Sequence, residues 1–455
     1  MNRNLNIAAA IAAVLGTAAG VGSAVAQPTI TSAAAPDVAF YISGSSAATN
    51  AVLGAIQTNL CGGAANALTV TGNPNGNFYA VSCVPASGVA SANGTDVYTI
   101  FYRNEGGSVT GALPIVNNKT INQLDLTNTS AISLTTCVSG STACTETVNG
   151  VSASNGTDDS FSGGVTKEAT DLGIMDVEPA ALTGNNYPTP YSTTVWGPIN
   201  QAGLQGLTGY PLFDEVYALY VNTGGSTAWG SGEVPIKISK AMASQILQKL
   251  VTNWSLVTDV NGNPVATSSL AISLVNREQG SGSRAATDLL ITGDTCQTAG
   301  AALGTTAVGY FSTGNVLSAA STKAGAITYA TIDQSKTNMT QVWLNGIQPS
   351  NAAAAAGQYD FWVEATVATN SNVTLTTKQS NLLTFLTSQM QAVGTAPHLA
   401  DVNAIPGIAG NTAAVSIGST ANNATGSLSG LGSSTIYINP FTRGQVTCNQ
   451  PSYVP

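Results

Sequence analysis

The sequence predicts an α/β protein of two or more lobes with largely parallel sheets, and three observations carry that expectation. Strand-like runs rich in β-branched and aromatic residues alternate with amphipathic runs, the pattern that places helices on sheet faces. Strand-to-helix junctions carry Gly/Ser turns, at Ser43-Gly44-Ser45-Ser46, Gly106-Gly107-Ser108 and Gly280-Ser281-Gly282-Ser283. About 430 residues follow the first 26, more than one simple hydrophobic core serves.

In chain order, residues 1–26 read as a secretory leader: Arg3 is the basic start, Ile7 to Val21 the apolar stretch, and Ala24-Val25-Ala26 the cleavage site before Gln27. Val38 to Ile42 is a strand, and Ala47 to Leu60 the helix after its turn. Val97 to Tyr102 is a strand leading to Arg103 and the second turn. Residues 127–164, polar and rich in Thr, Ser and Asn, read as an elaborated loop or small insertion. Thr170 to Asp176 is a short strand ending in an acidic turn, and Glu215 to Asn222 a strong strand. Ser239 caps a helix running to Trp254, with Met242, Ile246, Leu247, Leu250 and Val251 on its apolar face. Leu270 to Val275 is a strand, the segment from Ala285 opens a helix, Gly325 to Thr331 is a strand, and Ser380 to Val393 a late helix. Residues 403–435, rich in Gly, Ala, Ser and Asn, read as an irregular surface excursion.

Composition narrows the function. Charged residues make up 8 % of the chain, against about 25 % in ordinary soluble domains. The net charge is −9, or −10 once Arg3 leaves with the leader. That argues against nucleic acid and against attraction to anionic lipid. No second stretch is long and apolar enough for membrane insertion. Residue 27 is Gln, so the cysteine of an acylated lipoprotein anchor is missing, and a soluble periplasmic or secreted product is expected. An exported chain with six cysteines and no C-x-x-C should form disulfides. Proximity favours Cys61–Cys83 and Cys137–Cys144, leaving Cys296–Cys448, among fifteen possible pairings.

The chemistry concentrates in Arg277-Glu278-Gln279-Gly280-Ser281-Gly282-Ser283, followed by Arg284. A strand, a Gly/Ser loop and a helix start aim backbone N–H groups at one spot, and arginine adds a planar fork for oxyanion oxygens. After the leader four arginines remain, and two are in this loop. A third, Arg103, precedes the Glu105-Gly106-Gly107-Ser108 turn.

These segments, in this order, resemble the periplasmic phosphate-binding proteins of ABC transporters and, more broadly, the type II periplasmic-binding-protein fold. The likeness runs through Ile42 to Ser46, Asp171 to Pro179, Tyr217 to Asn222, Lys237 to Trp254, Gly325 to Tyr329 and Gly357 to Asp360. Arg277 to Ser283 is similar to the family's R-x-x-G-S-G-T loop, with serine for the final threonine. The resemblance implies two lobes, one from 27–224 plus 326–455 and one from 225–325, closing on a two-strand hinge. It implies ligand donors at Ser46 and Ser108, a ligand-facing Asp176, and Arg277, Ser281, Gly282 and Ser283 completing the cage. The implied protein is a monomeric solute-binding protein for phosphate or a similar oxyanion, serving a transporter permease. The sequence departs from the family in placing Ala47 after the first hydroxyl and Glu105 before the second loop, where it would repel an anion or pair with Arg103. Residues 127–164 and the tail after about 400 fall outside the likeness.

Catalysis and cofactors are not expected. The chain has one histidine, His398, and no metal-spaced cluster or phosphate-binding Walker loop. Asp214 and Glu215 are adjacent, so in extended chain they face opposite ways. Asp259-Val-Asn-Gly-Asn263 has its glycine too early and no closing glutamate for calcium, and reads as a turn. The very low charge favours an alternative, an extracellular surface or matrix protein on the same fold without a transport role.

Overall fold

The computed structural model describes residues 27–453 except 74–76, 87–93, 129–142, 148, 152–159, 183, 187–199, 230–233, 294–302, 307, 392–407, 412–437, 440, 445 and 448. The leader with its cleavage site, Cys137, Cys296, Cys448, His398 and nearly all of the 403–435 excursion lie outside the described residues.

The protein is α/β, organised on one large mixed sheet. Its main strands are β1 (Val38–Gly44), β2 (Leu68–Asn73), β3 (Phe78–Cys83), β4 (Tyr98–Arg103), β5 (Ala143–Thr147), β6 (Leu172–Met175), β7 (Tyr210–Asn222), β8 (Ser273–Leu274), β9 (Ala326–Thr331) and β10 (Trp362–Thr369). Their order across the sheet is β8-β9-β7-β10-β6-β1-β4-β3-β2-β5. β1 runs parallel to both β4 and β6, the arrangement expected where helices return the chain across a sheet face. β7 is the longest strand, and it serves both halves of the molecule. Tyr210 to Val216 pair antiparallel with β10, and Tyr217 to Val221 pair antiparallel with β9. Every residue of β7 after Tyr210 is buried, Asp214 and Glu215 included, and the stretch from Val216 to Val221 is wholly apolar or aromatic.

The helices that matter for the site are α1 (Thr49–Gly54), α2 (Ser108–Val116), α3 (Lys240–Leu247), α4 (Gly282–Thr287), α5 (Thr313–Ser321) and α6 (Thr377–Gln391). α1 continues as a π-helical turn to Leu60, filling the span predicted as helix. α2 sits unusually close to the sheet. A Cβ on Gly173 would stand 1.8 Å from the Gly111 carbonyl oxygen, so the two glycines let helix and strand backbones touch. This contact fixes the start of α2 beside the end of β6.

Three sequence expectations change in detail. The sheet is mixed and not largely parallel: of the nine neighbouring pairs in that order five are antiparallel, because β3, β7 and β10 each run against both neighbours. α3 is capped by Ser239, whose hydroxyl accepts from Met242 N at 3.1 Å, but it stops at Leu247. Lys249 at φ 60° turns the chain out, leaving Leu250 exposed instead of on the apolar face. The 127–164 region is more than a loop: its β5 strand adds to the sheet edge, pairing parallel with β2 from Thr69↔Ala143 onward. Threonine suits that pleated edge as well as it suits a turn. Cys61 and Cys83 form a disulfide, tying the end of the first helical run to β3, and Cys144 is disulfide-bonded as well.

Among the described residues no helix is long and apolar enough to cross a membrane, and no group of three His, Cys, Asp or Glu is placed to hold a metal. The Asp259 turn uses its carboxylate on itself, Oδ1 accepting from Asn261 N at 2.8 Å and Asn263 N at 2.7 Å.

Candidate functional site

Arg277 ends a two-residue strand, Asn276–Arg277, that pairs with Gly309–Tyr310. This pairing carries the arginine side chain into the interior, where it is fully buried. Its Nε donates to the Tyr310 carbonyl at 2.8 Å and its Nη2 to the Phe311 carbonyl at 2.8 Å. Nη1 faces a ring of hydroxyls: Ser46 Oγ at 3.1 Å, Thr313 Oγ1 at 3.3 Å and Ser283 Oγ at 3.5 Å. Glu278 approaches Nη2 at 3.9 Å, and burial drives its carboxyl well above the usual range.

The acidic side of the site is Asp176, at the end of β6 and fully buried. Its backbone N–H donates to Ser108 Oγ at 2.8 Å, so the first residue of α2 holds the strand end. Its Oδ2 accepts from Ser283 Oγ at 3.1 Å, while Oδ1 is buried and takes no hydrogen bond. Burial raises the Asp176 pKa, and the Ser45 hydroxyl, the Arg277 guanidinium and the Ser283 hydroxyl oppose that rise. Beneath it Tyr217 donates to Glu215 Oε2 at 2.8 Å, and Glu215 is driven well above the ordinary carboxylate range by burial and by Asp176.

All seven residues picked from the sequence therefore meet in one place. Ser46, Arg277, Ser283, Asp176 and Ser108 form a continuous chain of contacts. Ser281 has a different task there, its hydroxyl capping α4 by accepting from Arg284 N at 3.4 Å. Gly282 is the closest approach: a Cβ on it would stand 2.1 Å from Ser108 Oγ and 2.7 Å from Asp176 Cβ. The Val109 N–H donates to the Gly280 carbonyl at 2.9 Å, and the Gly280 N–H to the Asn186 carbonyl at 3.1 Å. Glu105 pairs with Arg103, Nη2 to Oε2 at 3.2 Å, which answers the choice between repelling an anion and joining its neighbour.

Thr313 was not among the residues picked from sequence. It opens α5, which Ser312 caps, and its hydroxyl lies 3.1 Å from Ser46 Oγ. The signal was present: Gly309-Tyr310-Phe311-Ser312-Thr313-Gly314 repeats the strand, hydroxyl and helix pattern of the other turns.

The chain matches no protein-family description, and no curated protein matches it. Among solved structures it is similar to a phosphate ABC transporter substrate-binding protein with bound phosphate from Clostridium perfringens. That likeness is at 13 % identity over 76 % of this chain and 92 % of the other, with a TM-score of 0.41. It is also similar to a phosphate-binding protein from Stenotrophomonas maltophilia, at 14 % identity over 81 % and 87 % of the two chains, TM-score 0.40. PstS from Borrelia burgdorferi is similar at 12 % identity over 82 % and 99 %, TM-score 0.35.

Proposed function

We propose that the protein is an exported solute-binding protein that takes an oxyanion, phosphate by preference, between segment 225–325 and the rest of the chain. Arg277 Nη1 and the hydroxyls of Ser46, Ser283 and Thr313 are the donors, drawn from both sides. The observation that carries the choice of phosphate is Asp176 Oδ1, a buried acceptor without a hydrogen bond. A carboxylate beside an anion repels it unless the ligand brings a proton. Monohydrogen phosphate brings one and sulfate at neutral pH does not. Binding proceeds by exchange, since the donors now bonded to one another must turn to the ligand. A monomer working with a transporter permease fits this reading, and it assigns no catalytic step.

A second reading has its own observation. Arg277 gives Nε and Nη2 to carbonyls, and Gly282 is packed onto Ser108 and Asp176, so the cluster is also a satisfactory structural joint. A surface or matrix protein on this fold would keep such a joint for stability alone.

Calorimetric titration of anion-stripped protein with phosphate and with sulfate separates the two. The binding reading expects phosphate to bind and sulfate to be rejected, with Asp176→Asn admitting sulfate by supplying an N–H donor. Equal binding of both anions removes the phosphate assignment, and binding of neither leaves the structural joint.

A further inference from the structure

We infer that the C-terminal segment is a support of the anion site, with Glu178 and Thr447 acting as positioning residues for Asp176; this rests on the binding reading above. Asp176, Val177 and Glu178 form the turn between β6 and the 3-10 turn Pro179–Ala181. The turn is pinned at each residue by a different part of the chain. Asp176 N donates to Ser108 Oγ at 2.8 Å, and the Val177 carbonyl accepts from Thr366 Oγ1 of β10 at 3.3 Å. Glu178 reaches the C-terminal segment: Thr447 N donates to both of its carboxyl oxygens at 3.0 Å, and Thr447 Oγ1 donates to Oε2 at 2.6 Å.

Thr447 is itself anchored to the same sheet. Arg443 is buried, with its Cζ 4.7 Å from the Trp362 ring centroid. Its Nη2 donates to the Asp360 carbonyl at 2.7 Å, its Nε to the Trp362 carbonyl at 3.3 Å, and its Nη1 to the Asn449 carbonyl at 2.6 Å. The Arg443 N–H donates to Glu364 Oε1 at 3.2 Å. Trp362 and Glu364 belong to β10, which pairs with β6 up to Met175↔Thr366, one residue before Asp176. The segment thus holds the strand next to Asp176 with Arg443 and the turn after it with Thr447. A tail that merely covered the surface would not bury an arginine and meet a half-buried carboxyl with three hydrogen bonds.

Thr447→Val removes one hydrogen bond to an acidic group and keeps the size, Glu178→Ala removes all three, and Thr447→Ser should restore the wild-type state. Hydrogen exchange of the 172–182 peptide, read without any anion, should quicken about tenfold in Thr447→Val and more in Glu178→Ala. Calorimetry should show phosphate affinity falling by a similar factor and the rejection of sulfate weakening, with both recovered in Thr447→Ser. A urea titration of each variant shows whether the fold as a whole is kept. Unchanged exchange in 172–182 overturns the support. Faster exchange with unchanged phosphate affinity overturns the positioning role. Wild type that binds neither anion refutes the site, and the exchange data then report the hold on the turn alone.

Discussion

Replacing Gly282 by alanine adds one methyl at the tightest point of the site. The new Cβ would lie 2.1 Å from Ser108 Oγ, 2.7 Å from Asp176 Cβ and 2.9 Å from Asp176 Oδ2, where carbon contacts relax only near about 3.5–4.0 Å. Ser108 Oγ has little freedom to retreat, because it accepts the buried Asp176 N–H at 2.8 Å. Overpacking of this kind costs about 1–3 kcal/mol, and stranding a buried N–H costs a further 1–3 kcal/mol, roughly. Against this, alanine in place of glycine in a helix returns at most about 1 kcal/mol. The steric effect wins, with a net loss of about 1–5 kcal/mol. Gly314 provides the opposite control: it stands in α5 with open space where its Cβ would go, so Gly314→Ala should be neutral or stabilising by up to about 1 kcal/mol. Urea denaturation of both variants reads the difference, and small-angle scattering shows whether the two halves part instead of unfolding. A Gly282→Ala protein with wild-type stability and wild-type dimensions would refute the claim that these loops press on one another.

Arg277→Ala strands the Tyr310 and Phe311 carbonyls and should lower stability by about 3 kcal/mol or more in urea titration, and Arg277→Lys should rescue little because an ammonium lacks the fork. Arg284 makes one bond to the Arg277 carbonyl, at 3.1 Å, so Arg284→Gln should cost about 1 kcal/mol; equal losses at both positions would contradict the geometry. Burial, aided by Glu364 and opposed by the Thr447 bonds, pushes the Glu178 carboxyl up to about 7 from an ordinary 4.5. The folded state therefore holds that proton more firmly, so the contribution is complete below about pH 4.5 and is lost as pH rises through 7, about 3 kcal/mol in all. Asp171, raised to about 6 chiefly by burial, adds in the same direction; thermal melts across pH 4–8 should show the decline, and Glu178→Gln should flatten it. Removing the Cys61–Cys83 bridge, whose partners are 22 residues apart, should lower stability by about 2–4 kcal/mol under non-reducing conditions.

What could be read from the sequence was what short stretches of chain decide for themselves. The Gly/Ser turns, the Ser239 cap and the buried strand at Glu215 to Asn222 follow from local backbone preference and side-chain alternation, and they stand close to where they were expected. Of the seven site residues, Ser46, Ser108, Ser281, Gly282 and Ser283 belong to such turns, while Asp176 and Arg277 stand at the ends of short strands. Partners brought from far along the chain were not legible. The carbonyls that take Arg277 lie 33 and 34 residues downstream, and no side-chain type marks a carbonyl as an acceptor. Nothing in the sequence marks Glu178, because its partner Thr447 is 269 residues away in a polar segment with no apolar pattern. Helix α3 ended early for a related reason: apolar spacing alone does not announce the left-handed Lys249 that turns Leu250 outward.

The shared strand β7 has a consequence for dissecting the gene. Pairing with β10 through its first half and with β9 through its second makes the chain's two halves one hydrogen-bonded object. Among the described residues the 225–325 stretch brings only Ser273 and Leu274 to the main sheet, and both pair with β9, which begins at Ala326. Excised at those boundaries, the stretch would leave both β7 and β9 behind and expose the apolar faces of α3 and α5 that pack in the cores they complete. Expressed alone it should be insoluble or unstructured. A graft that carries 210–331 would keep β7, β8 and β9 together, so the smallest transferable unit is set by strand pairing and not by the 225–325 boundaries.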